Sequence, residues 1–299
     1  MKALMQAREV SFAYRGRKVL HDITVSVGRG EVVSLLGPNG SGKTTLLKIL
    51  LGLLRPQRGS VLFEGRPLKA TPRDELARRI AYVPQVHREA FAYTVADVVL
   101  MGRMPYHSFF STFSAKDRKI AETSIERLGI LHLRNRPYTE ISGGERQLAL
   151  IARALTQGAD TLVMDEPANG LDFGNQIRLL DQIADLARDG YTFIMSTHFP
   201  EHAFWIADHV VMLQNGSVLA DGKPNDVMSE EAIYQLYNTR VSLFKFKGTV
   251  VTCVPCSVLH KAGTERNPDG RVSRDPLALH STVKNRTEGT TEYQRDIMR

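Results

Sequence analysis

Cysteine is nearly missing from this chain of 299 residues, which carries only Cys253 and Cys256. That scarcity excludes a disulfide-stapled fold, and a single C-x-x-C supplies half of a tetrahedral metal site, although two tails in a dimer would bring four thiolates together. Free thiols in a reducing compartment are the simpler expectation. Long apolar runs are missing too: no stretch approaches the ~18 residues that span a bilayer, and residues 1–9 are too polar for a signal peptide. Any attachment to a membrane is therefore expected through a partner. Concentrated charge is also lacking, because the net charge of +7 is dispersed along the chain. It forms no basic stripe, so no nucleic-acid partner is expected. No internal repeat is visible. Apolar and charged residues, at 42% and 24%, stand in ordinary globular proportion, and the length is ample for a buried core.

The first informative feature is Gly37-Pro38-Asn39-Gly40-Ser41-Gly42-Lys43-Thr44, followed by Thr45. It fits G-x-x-x-x-G-K-[ST] and follows an apolar run at 32–36 that reads as a buried strand, so strand, glycine loop and helix occur in the required order. Glycines let consecutive N–H groups wrap an anion, and the helix beginning near Lys43 adds the positive end of its dipole. Lys43 supplies a point charge to the β- and γ-phosphates of a nucleotide, and Thr44 offers a hydroxyl to Mg2+. A second apolar strand at 162–164 ends in Asp165 and Glu166, the place for metal handling at the carboxyl edge of a parallel sheet. Asp165 is expected to hold Mg2+ through water and Glu166 to orient and polarise an attacking water.

With Ile141-Ser142-Gly143-Gly144-Glu145-Arg146-Gln147 lying between the glycine loop and the two acids, the sequence resembles the ATP-binding cassette family over roughly its first 240 positions. The resemblance implies an ATPase that uses ATP and Mg2+ and works as a dimer of two copies. In such a dimer Ser142, Gly143 and Gly144 cap the γ-phosphate bound to the opposite copy. Glu145 stands where the family most often has Gln, and its carboxylate is expected to face away from the nucleotide. The family pattern also places Tyr14 against adenine and Gln85 on Mg2+ and the catalytic water. His198 then contacts the γ-phosphate, and Asp172 lies in the loop that couples the two sites. Asn169-Gly170 replaces the more usual small-residue pair in that loop.

The expected fold is α/β, a P-loop NTPase core with a mostly parallel sheet and an antiparallel edge, plus a helical signature subdomain. The core occupies 1–85 and 155–245, with strands around Tyr14, Val33, Val61, Val163, Phe193 and Val210 and a helix at 177–188. A helical insertion fills 86–154, with helices at 94–101, 115–128 and 143–155. Residues 246–299 lose apolar periodicity and are expected to be poorly ordered.

Within the insertion, residues 91–106 and 113–117 resemble those of the metal-chelate importers, which serve iron-siderophores, haem, vitamin B12 or molybdate and tungstate. Phe173-Gly174-Asn175-Gln176 and the residues after His198 point the same way. The implied setting is the cytoplasmic face of the cell membrane, bound to integral permease subunits and served indirectly by a substrate-binding protein. An iron-siderophore is the favoured cargo. A non-transport cassette ATPase would usually show two cassettes or a long coiled-coil insertion, and a small-molecule kinase would lack the Ser-Gly-Gly helix.

Overall fold

The computed structural model describes residues 3–85, 93–108 and 111–262. Six strands form the central sheet in the order β10-β9-β3-β8-β7-β6. They are β3 (Val32–Leu36), β6 (Ile80–Val83), β7 (Thr161–Met164), β8 (Thr192–Thr197), β9 (His209–Gln214) and β10 (Ser217–Gly222). All neighbours pair in parallel except β10, which closes one edge antiparallel to β9. A second, antiparallel sheet runs β2-β1-β4-β5, from β1 (Met5–Tyr14), β2 (Arg17–Val27), β4 (Arg58–Phe63) and β5 (Arg66–Pro67). The mostly parallel core with an antiparallel edge thus matches the expectation from sequence.

The parallel strands are buried on both faces, and their alternate residues enter different cores. Val33, Leu35, Val163, Ile194 and Val211 face helix α1 (Lys43–Leu50) and the antiparallel sheet, where Leu46, Leu47, Ile49 and Leu50 complete the packing. Leu162, Met164, Phe193 and Met195 face the other way, toward the insertion. Helix α2 (Arg73–Arg79) precedes β6.

The insertion is built from α3 (Val95–Leu100), α4 (Ala115–Arg127) and α5 (Gly143–Thr156). Each opens with a reciprocal capping box, Thr94 with Asp97, Ser114 with Asp117 and Ser142 with Glu145. The expected helix at 94–101 ends at Leu100 and tightens into a 3-10 turn over Met101–Tyr106, which contains Pro105. Proline has no N–H to give to an α-helical ladder. Helix α6 (Phe173–Arg188) begins a turn before the expected 177, because the Asp172 carboxylate accepts the Asn175 N–H at 2.9 Å and fixes an earlier N-cap.

The C-terminal part departs most from the sequence expectation. After α7 (Pro200–Ile206), α8 (Pro224–Val227) and α9 (Glu230–Tyr237), the chain forms a hairpin of β11 (Val241–Phe246) and β12 (Thr249–Pro255). It continues into α10 (Cys256–Ala262). A poorly ordered tail from 246 is therefore corrected through 262, and the rest of that segment lies outside the described residues. Lys247 and Gly248 both have positive φ, the geometry of a tight two-residue hairpin turn. Val241 and Val250 are buried in a third core with Ala203, Phe204, Met228, Ile233 and Leu236. Phe244 and Phe246 face outward, which hid the burial of the opposite face from a periodicity argument. Among the described residues no helix is long and apolar enough to cross a membrane.

Candidate functional site

The carboxyl ends of β3, β7 and β8 converge, and six of the residues singled out from sequence meet there. The loop at 37–44 leaves β3 and enters α1 without a side-chain cap or an acidic residue in the first turn, so the helix start is electropositive. Asn39 and Gly40 form its exposed tip, whereas Ser41, Gly42, Lys43 and Thr45 are buried and Pro38 is half-buried. Glycine is required at two points. A Cβ on Gly37 would lie 2.3 Å from the Leu213 carbonyl oxygen, and Gly42 has φ +106 with Leu20 Cδ2 2.6 Å from a built Cβ. Ser41 Oγ is buried with no hydrogen-bond partner in the chain, an orphaned donor aimed at the loop interior.

Lys43 Nζ donates to the Gly37 and Pro38 carbonyls at 2.7 and 3.1 Å and lies 3.6 Å from Glu166 Oε1. Burial pushes its pKa down, and the Glu166 carboxylate opposes that shift. The ammonium folds back on its own loop, as a cation does when carbonyl dipoles and one carboxylate are its available partners.

Asp165 is the hub of the next layer. Its Oδ1 accepts from Thr44 Oγ1 at 3.0 Å and from Ser196 Oγ at 2.7 Å. Ser196 Oγ in turn accepts the Glu166 N–H at 2.9 Å. Ser196 carries no role in the sequence reading: it is fully buried, and its partners Asp165 and Glu166 come from the neighbouring strand end. Glu166 has φ +46, an uncommon conformation for a residue with a side chain. Its Oε2 accepts from Gln85 Nε2 at 3.2 Å and Asn169 Nδ2 at 3.3 Å, and His198 Nδ1 also lies 3.3 Å away. Asn169, which sequence noted only as a departure from the family pattern, is thus a direct neighbour of the proposed base. The Thr44 hydroxyl, the Asp165 carboxylate and the Gln85 amide are hard-oxygen donors, few in number. That set suits a cation that completes its shell with phosphate and water.

The remaining sequence candidates stand apart. Tyr14 ends β1 with its ring 44% exposed and edge-on to Phe12. Among the described residues no hydrogen bond or ion pair joins Ser142, Gly143, Gly144 or Asp172 to Lys43, Asp165, Glu166 or His198. Instead Gly144 lies against α6, where a Cβ would come 2.7 Å from Asn175 Cγ, and Asn175 Nδ2 donates to Asp172 Oδ2 at 2.6 Å. Glu145 turns its carboxylate back to accept the Ser142 N–H at 2.8 Å, and this bond, with the Ser142 hydroxyl, holds its pKa down. Ser142 Oγ also accepts the Glu145 N–H at 3.3 Å, which completes the reciprocal cap at the start of α5.

The two cysteines face different neighbours. Cys253 Sγ donates to Glu201 Oε1 at 3.0 Å, and Cys256 Sγ lies 3.7 Å from Ser242 Oγ. Burial and the Glu201 bond push the Cys253 thiol up to about 12, so it stays protonated and unreactive. Among the described residues no group of three or more His, Cys, Asp or Glu is arranged to hold a metal.

Comparison with known proteins bears on the family and the fold. The ABC transporter family matches over residues 20–169. An uncharacterised ABC transporter ATP-binding protein of Haemophilus influenzae is 38% identical over 240 residues, 80% of this chain and 91% of that protein. The iron(3+)-hydroxamate import ATP-binding protein FhuC of Bacillus subtilis is 30% identical over 78% of this chain and 87% of its own length. A solved ABC transporter assigned to the metal-chelate type, in an inward-facing conformation, superposes with a TM-score of 0.76 at 29% identity. The match covers 85% of this chain and 98% of the solved one. The glycine loop, the paired acids and these matches lead to one conclusion: this chain belongs to the ABC transporter family and is an ATP-binding ATPase within it.

Proposed function

We propose that this chain is the ATP-hydrolysing subunit of an importer for a metal chelate, with an iron-siderophore as cargo. The observation that carries the ATPase half is the meeting of Lys43, Thr44, Gln85, Asp165, Glu166 and His198 at the strand ends. The cargo half is supported by the hydroxamate importer among the relatives and by residues 93–106 and 113–117 of the insertion; Phe91 and Ala92 of the same segment lie outside the described residues.

In this reading the backbone N–H groups of the loop and the buried Ser41 hydroxyl receive the phosphates, and Lys43 moves from the loop carbonyls to the β- and γ-phosphates. Thr44, Asp165 and Gln85 would hold Mg2+, which when bound would supply positive charge against the phosphates. Glu166 orients and deprotonates the attacking water, and His198 donates toward the γ-phosphate. Tyr14 stacks on adenine. The separation of Ser142, Gly143 and Gly144 from this cluster supports their use in trans: two copies close head to tail, and each presents its α5 start to the other's γ-phosphate. Asp172 caps the helix against which that signature packs, so it links the two halves. The dimer sits on permease subunits at the cytoplasmic face of the membrane, with a substrate-binding protein on the far side.

The test is elemental analysis of cells whose only copy carries Lys43→Ala, grown at limiting iron or molybdenum. A selective fall in iron is expected. A selective fall in molybdenum overturns the iron cargo, and no change in either overturns both and leaves vitamin B12 as the chelate to test.

A further inference from the structure

The C-terminal segment makes two polar ties around the start of α7, one to the loop before it and one to the helix, on either side of its first residue, Pro200. Tyr237, the last residue of α9, donates its hydroxyl to the backbone carbonyl of His198 at 3.0 Å. Cys253 of β12 donates its thiol to Glu201 Oε1 at 3.0 Å. Phe199 is the N-cap of α7, and an N-cap is the first residue whose carbonyl enters the helical ladder. The His198 carbonyl therefore belongs neither to α7 nor to β8, which ends at Thr197, and the Tyr237 phenol satisfies it from outside.

The loop is also tied from within. Phe199 N–H donates to Thr197 Oγ1 at 3.0 Å, and Thr197 Oγ1 meets His202 Nδ1 at 3.3 Å. Those contacts fix the residues around His198, and the Tyr237 bond falls on His198 itself. On the other side of the same residue, the imidazole rests on Phe199 with ring centroids 4.1 Å apart and holds Nδ1 3.3 Å from Glu166 Oε2. Tyr237 has little freedom to drift, because Ile233 and Leu236 of α9 are buried in the core that also takes Ala203, Phe204, Val241 and Val250. Burial, with Cys253, Glu201 and Glu166 nearby, raises the pKa of the phenol, so the donor proton is present throughout the working pH range.

We propose that Tyr237 is a positioning residue for ATP hydrolysis: its bond to the His198 carbonyl holds the imidazole in register with Glu166, so that α9 and the following hairpin form part of the catalytic unit. The inference rests on the reading of His198 as the γ-phosphate contact.

A double-mutant cycle on the ATPase activity of the full chain tests it. Tyr237→Phe removes the hydroxyl and keeps the ring in its core. Loss of one aligned hydrogen bond is expected to lower kcat by about fivefold to tenfold with KM for MgATP unchanged. In a His198→Ala background, followed by single-turnover hydrolysis over hours, the same substitution is expected to have no further effect. An unchanged kcat for Tyr237→Phe, or an equal fall in both backgrounds, overturns the proposal. If His198→Ala alone hydrolyses ATP at the parental rate, the role of His198 fails and the proposal fails with it. The chain's ATPase activity would then still stand.

Discussion

Ser196 Oγ donates to Asp165 Oδ1 at 2.7 Å, and neither residue is more than 4% exposed. The same oxygen accepts the Glu166 N–H, so one hydroxyl fixes both acids at the end of β7. Ser196→Ala leaves the Glu166 N–H without its acceptor and Asp165 short of a donor. Chemical denaturation is expected to show a loss of about 1–3 kcal/mol. Turnover is expected to fall by roughly tenfold as the acids lose register. A variant with parental stability would show that water replaces the hydroxyl at no cost.

Glu166→Gln keeps the shape of the side chain and removes its basicity. ATP binding and ATP-induced dimerisation are expected to persist while kcat drops by about a hundredfold or more. Size-exclusion chromatography with ATP, beside phosphate release, checks both halves. A monomeric and fully active variant would remove Glu166 from the reaction.

Gly42→Ala tests the loop. Its φ of +106 is unfavourable for any side chain, and the new Cβ would meet Leu20 Cδ2 at 2.6 Å. Binding of a fluorescent ATP analogue is expected to weaken at least about tenfold, given a backbone cost on the order of 1–3 kcal/mol. Adding Leu20→Ala is expected not to restore it, because the backbone term remains. Recovery in the double variant would assign the defect to the clash alone.

Much of this site was legible in the sequence because its chemistry is local. The glycine loop, Asp165-Glu166 and His198 each follow an apolar strand, and parallel strands must put their carboxyl ends on one edge. What escaped was whatever depends on residues far apart in the chain. Ser196 looked like one polar residue in a strand, and Asn169 like a departure from the family pattern, until the fold set both beside Glu166. The hairpin at 241–255 escaped for a related reason. Its buried face is covered by α7 and α9, which periodicity within the hairpin cannot reveal. The starts of α3, α4 and α5 were legible to within a residue, whereas the Asp172 cap sets the start of α6 a turn earlier than expected.

His202 gives a pH dependence with a definite sign. Burial, with a smaller contribution from His198, lowers its pKa from 6.5 to about 4, against the opposing pull of Glu201. The folded state thus binds fewer protons than the unfolded state between those values, so stability is full above about 6.5 and is lost as pH falls toward 4. The shift corresponds to roughly 2–4 kcal/mol across that window. Denaturation midpoints of the parent and of His202→Gln are expected to converge as the pH is lowered. A constant gap between them would place the acid sensitivity elsewhere.

The pairing of β3 imposes an order on the chain's own synthesis. The strand that carries the nucleotide loop is made early, but both its neighbours, β8 and β9, come from the far half of the chain. The Val32 N–H donates to the Asp208 carboxylate, 176 residues downstream. At about 5–20 residues per second, a ribosome needs on the order of ten to thirty seconds to supply those partners. For that interval the nascent chain carries an apolar strand with two unpaired edges, the state in which cellular holding factors have most to bind and a stalled ribosome does most harm.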